Sequence, residues 1–91
     1  MNIRVGRWYK IKFTTGEDWA YILILSETGP IIGYIRIPVK DAVLYGWMTS
    51  VGQEDSDFLQ SSKTRLMAAS FKPKVRMTWG IMHKAIRIIF K

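Results

Sequence analysis

No cysteine occurs in this chain. Disulfides and thiolate metal ligands are thereby excluded, and a cysteine-free domain fits a cytoplasmic setting. Histidine occurs once, as His83. Without a thiol and with a single imidazole, most nucleophile–base pairs cannot be assembled, so the expectation is a non-enzyme without metal or cofactor. Acid is missing from the whole C-terminal third. The last carboxylate is Asp57, and residues 58–91 carry eight Lys and Arg with no Asp or Glu. Residues 1–57 hold six basic and seven acidic residues and nearly cancel. A field this one-sided attracts polyanions and excludes cationic partners from that third.

Long hydrophobic runs are also missing. Nothing approaches the roughly 20 apolar residues of a membrane span. The longest candidate, residues 31–39, is broken by Arg36 and Pro38. The N-terminus alternates charge with apolar residues and lacks the core of a signal peptide. There is no glycine-rich loop followed by lysine of the kind that cradles phosphates, because the seven glycines are isolated. Repeats and low-complexity tracts are absent. The expectation is one domain spanning residues 1–91.

Apolar residues make up 48% of the chain and aromatics 13%, enough for a packed core and too much for disorder. The first half reads as strands. Tyr9, Ile11 and Phe13 alternate with Trp8, Lys10 and Lys12, the period of a half-buried strand. The run 19–25 (WAYILIL) carries no charge and suits a strand covered on both faces. Residues 31–37 form a third strand that Pro38 ends, and residues 42–48 a fourth. Residues 49–57 are polar and read as a connection. It ends in a helix start, with Asp55 or Ser56 as cap and Asp57 in the first turn. A helix is then expected over 57–69 and a short strand over 75–79.

In the final segment Ile81, Met82, Ala85, Ile86, Ile88, Ile89 and Phe90 fall in one helical arc, with His83, Lys84, Arg87 and Lys91 in the remainder. The β-branched isoleucines argue for a strand, but Ile88-Ile89-Phe90 breaks a strand's alternation, so the helix is preferred. The expected architecture is α+β: a four-stranded antiparallel meander, then helix, short strand and C-terminal amphipathic helix. The alternative is a small, mostly β open barrel.

Two structural uses compete with function for these residues. Trp and Tyr in so short a chain are first of all core material. Glu54, Asp55 and Asp57 are clustered, yet acids at a helix start are ordinarily placed there by its dipole. The functional expectation rests on basic and aromatic interleaving. Trp8, Lys10 and Lys12 share one face of the first strand, Tyr34 and Arg36 one face of the third, and Tyr45 and Trp47 one face of the fourth. If those faces coincide, cations for phosphates lie beside rings on which unpaired bases stack.

The sequence therefore points to a non-enzymatic, nucleic-acid-binding domain for DNA or RNA. Its phosphate contacts would be Lys10, Lys12, Lys72, Lys74, Arg76, Lys84, Arg87 and Lys91, with Trp8, Tyr34 and Trp47 as stacking candidates. The alternative is an adaptor or inhibitor, of mobile-element or phage type, that docks on an acidic protein partner. An anionic membrane surface ranks third, because so small a domain needs its apolar arc for the core. Homo-oligomer formation is left open.

Overall fold

The structure, a computed structural model, describes residues 3–13, 19–44, 50–59, 64–76 and 78–90. In chain order it contains β1 (Trp8–Phe13), β2 (Trp19–Thr28), β3 (Ile31–Pro38), α1 (Val39–Leu44), β4 (Ser50–Asp55), α2 (Ser56–Leu59), β5 (Thr64–Ala68) and α3 (Trp79–Ile89). The five strands make one antiparallel sheet in the order β4-β3-β2-β1-β5. Strands β1 to β4 thus form the expected meander, and β5 returns to the free side of β1. The α+β class holds, with a sheet of five strands where a four-stranded one is expected.

Register decides which side chains share a face. Tyr9 lies opposite Ile22 and Ile22 opposite Arg36, while Lys10 lies opposite Tyr21 and Tyr21 opposite Ile37. Alternation along each strand then sorts the sheet into two sides. One side holds Tyr9, Ile11, Ala20, Ile22, Ile24, Ile32 and Tyr34, packed with Ile3 and with Leu59 of α2. The other holds Ile35 and Ile37 with Trp8, Tyr21, Leu23 and Val51, and is covered by Ala42 of α1 and by Val75. Apolar cover on both sides is what the charge-free run in β2 anticipates.

Three sequence expectations are corrected. The fourth strand is not residues 42–48: Val39–Leu44 is α1, and 45–48 lie outside the described residues. The fourth strand is instead Ser50–Asp55, inside the stretch that reads as a polar connection. It pairs with β3 from Ile31 opposite Asp55 to Arg36 opposite Ser50. Gly, Gln, Glu and Asp are poor strand formers, but the exposed edge of β3 supplies the hydrogen bonds, and acids on an edge strand discourage further pairing.

The helix expected over 57–69 is also replaced. It shrinks to the four residues of α2, and Thr64–Ala68 is β5. Leu, Met, Ala and Arg favour helices locally. The free edge of β1 overrides that preference, pairing Tyr9 with Ala68 through Phe13 with Thr64. The start of α2 is as expected: Asp55 Oδ1 accepts from the Asp57 N–H at 2.8 Å. The short strand over 75–79 does not form. Val75 packs on the sheet without pairing, and Trp79 opens α3, while Met77 lies outside the described residues.

The C-terminal helix is present. Thr78 caps it, its hydroxyl oxygen accepting from the Ile81 N–H at 3.4 Å. Ala85 is buried beneath the helix, and Ile88 sits over Gly33 and Ser26 of the sheet. A register shift between Ile24 and Ser26 sets Ser26 opposite Gly33 and opens that seat.

Candidate nucleic-acid interface

The expected coincidence of faces fails between β1 and β3, and Tyr45 and Trp47 of the expected fourth strand lie outside the described residues. Trp8, Lys10 and Lys12 point to the side that carries Tyr21 and Ile37, whereas Tyr34 and Arg36 point to the opposite side. Tyr34 is 4% exposed and belongs to the core. Its hydroxyl donates to Glu54 Oε1 at 3.2 Å. Burial, then the Glu54 charge and that hydrogen bond, push its pKa up to about 12, against the opposing pull of Arg36. A ring so enclosed offers no face to a base, which removes Tyr34 from the stacking candidates. Trp47 and Lys91 lie outside the described residues.

Beside Lys10 and Lys12 the sheet instead places Trp19 and Tyr21 of β2. Lys12 is opposite Trp19 and Lys10 opposite Tyr21. The Lys10 ammonium lies 5.3 Å from the centre of the Trp19 ring, a cation–π distance. Tyr21 in turn meets Phe71, with ring centres 5.4 Å apart and planes tilted by 51°. Phe71 is 50% exposed, and Lys10, Lys12, Trp19 and Tyr21 are all half-buried. The half-buried Trp19 and Tyr21 rings, the exposed Phe71 ring and two ammonium groups therefore occupy one strip of the sheet.

A basic cleft continues the strip past Trp8. It has a volume of about 600 Å³ and is lined by Arg4, Gly6, Arg7, Trp8, Tyr9, Ala68, Ala69 and Lys72. Two arginines meet here because Arg4 to Arg7 form a tight turn, closed by Arg7 N–H on Arg4 O at 3.3 Å. Gly6 takes φ +82° at its third position, a backbone that side chains rarely adopt. The turn is fastened to β2 by Gly6 N–H on Ile24 O at 2.8 Å and by Ile24 N–H on Arg7 O at 3.2 Å. The Arg4 N–H also donates to the Tyr9 hydroxyl at 2.9 Å. The far wall is held by Ala69 N–H on Trp8 O at 3.2 Å.

The remaining basic candidates lie elsewhere. Lys84 and Arg87 line a second cleft, of about 420 Å³, with Val51, Gly52, Gln53 and Ile88 on the β4 side of the sheet. Lys74 and Arg76 are exposed on the segment that leads to α3, and His83 is exposed on α3 itself. The acids have structural uses: Asp55 caps α2 and Glu54 receives Tyr34. Among the described residues no three of His, Asp and Glu converge on one point as metal ligands would. No described helix is long and apolar enough to cross a membrane.

Sequence reasoning missed Trp19, Tyr21, Phe71, Arg4 and Arg7. A signal for the first two was available. In the charge-free run one alternating set is Ala20, Ile22 and Ile24, purely aliphatic, while the other opens with Trp19 and Tyr21, whose polar tips suit a wet boundary. Phe71 carries no comparable signal. Comparison with protein-family models, with curated proteins and with solved structures gives no match.

Proposed function

We propose that this chain is a non-enzymatic nucleic-acid-binding domain whose β1–β2 strip receives an unpaired strand. One observation carries the reading: Lys10 and Lys12 stand among the Trp19, Tyr21 and Phe71 rings on a single strip of one side of the sheet. Ammonium groups answer phosphates and flat rings answer bases, and a sheet presents both in one plane. Arg4, Arg7 and Lys72 lengthen the basic track at the end marked by Trp8. Duplex readers instead set a helix with polar side chains into the major groove. The outer face of α3 bears Trp79, Met82, Ile86 and Ile89, a largely apolar stripe in which only the Trp79 indole N–H is a strong hydrogen-bonding group for a base edge.

Fluorescence anisotropy with single-stranded DNA, single-stranded RNA and duplex probes tests the reading at low salt. Both single strands are expected to bind more tightly than duplex. Phe71→Ala, at a half-exposed site that spares the core, should cost about 1–3 kcal/mol of binding, the range for one stacked base. Lys10→Gln/Lys12→Gln should weaken binding by roughly tenfold or more. Absence of binding to every probe would overturn the reading. Capture of an acidic protein through the same two lysines would then favour the adaptor alternative.

A further inference from the structure

We infer that the outer face of α3 docks on an anionic lipid bilayer. Only part of the helix's apolar arc is used by the fold: Ala85 is buried and Ile88 sits on Gly33. Trp79, Met82, Ile86, Ile89 and Phe90 remain outside. Their spacing makes one stripe along the whole helix, about 16 Å long at 1.5 Å per residue. Trp79 is 81% exposed and Phe90 80%, so the largest side chains project at the two ends of the stripe. The reason for ranking a membrane last, that the core needs the whole arc, is thereby removed.

Charge selects the occupant. On the helical wheel the stripe is bordered by His83 and Arg87, with Lys84 beyond them, and no acid occurs anywhere in residues 58–91. The whole chain carries +7. A second copy would bring the same cationic border against the first. A bilayer with anionic headgroups instead accepts both features, apolar side chains below the headgroups and cations among them. An aromatic ring at each end of the stripe suits the boundary between headgroup and hydrocarbon. This surface is separate from the β1–β2 strip, and the inference does not depend on nucleic-acid binding.

Vesicle flotation of the full chain tests it. Vesicles of phosphatidylcholine with about one-third phosphatidylglycerol should carry the protein at low salt, and pure phosphatidylcholine should carry much less. Ile86→Ser/Ile89→Ser changes two roughly half-exposed side chains, so folding is retained, and should lower partition by about tenfold or more. Lys84→Gln/Arg87→Gln should remove most of the preference for anionic vesicles. Three results would overturn the inference. One is no partition into anionic vesicles. Another is partition that the serine pair leaves unchanged, which reduces it to adsorption by net charge. The third is a dimer in light scattering that the serine pair dissolves while vesicles go unbound.

Discussion

The Tyr34 hydroxyl is buried beside Glu54, and its pKa stands at about 12 against an ordinary value of 10.0. The folded state therefore holds this proton more tightly than the unfolded chain does. The stability tied to the proton is complete below pH 10, where the unfolded tyrosine is still protonated. It is lost as pH rises from about 10 to about 12. A two-unit displacement bounds the loss at roughly 3 kcal/mol. Tyr34→Phe removes the hydrogen bond to Glu54, at about 1 kcal/mol near neutrality, and removes this titration. Denaturant unfolding at pH 8, 10 and 11.5 should show a shallower decline above pH 10 in the variant. An equally steep decline would show that Tyr34 does not govern alkaline stability. The same residue marks what a linear reading can resolve. Alternation within β3 correctly put Tyr34 and Arg36 on one side and Ile35 and Ile37 on the other. The phase between β1 and β3 is set by their shared pairing with β2, and it sent Lys10 and Tyr34 to opposite sides of the sheet.

Elements with their own apolar signature were legible, and elements completed by a neighbour were not. Strands β1, β2 and β3 alternate or run apolar, and α3 carries a full amphipathic arc; each lies close to where the sequence puts it. Strands β4 and β5 are weak strand sequences that exist because β3 and β1 each have a free edge to pair. The seating of α3 was illegible for a related reason, since a glycine's neighbours belong to another element. Alanine at Gly33 would place its Cβ on Ile88 Cγ2 and 2.7 Å from Ser26 Oγ. The serine hydroxyl can turn to another rotamer. Ile88 Cγ2 sits one bond from the Cβ on the helix backbone, so the helix itself must lift. Gly33→Ala should then cost about 1–3 kcal/mol, the usual range for overpacking. In an Ile88→Ala background the same change should cost clearly less, and a double-mutant cycle by denaturant unfolding measures the difference. Additive losses would mean that Ile88 does not rest on Gly33.

Across the whole molecule, summed charge hid the strip that the fold assembles. The N-terminal residues nearly cancel in sequence, but the sheet separates the two signs. Glu27 and Glu54 both lie opposite Ile32, and Asp55 lies opposite Ile31, so these acids gather where β2, β3 and β4 meet the β2–β3 turn. Arg4, Arg7, Lys10, Lys12 and Lys72 line β1 and the cleft beside it. Lys84 and Arg87 belong to the helix whose Ile88 sits in the row of Ser26 and Gly33. Ser26 lies about 17 Å along β2 from Tyr21, the partner of Lys10, at 3.3 Å per residue, and farther from Trp19, the partner of Lys12. Those two lysines are thus beyond the screening length of about 8 Å at physiological salt from the seat of α3. Counterion release counts the cations engaged. Five contacts on a single strand should give log affinity against log salt a slope near −3.5. Lys10→Gln/Lys12→Gln should reduce it to about −2.1, and Lys84→Gln/Arg87→Gln should leave it near −3.5. Anisotropy titrations across salt decide the matter. A slope reduced by the helix pair and untouched by the strand pair would move the interface from the sheet to α3. The bilayer and the nucleic acid would then compete for one surface. With the expected slopes the two ligands use different cations, and a saturating single strand should leave vesicle binding through α3 intact.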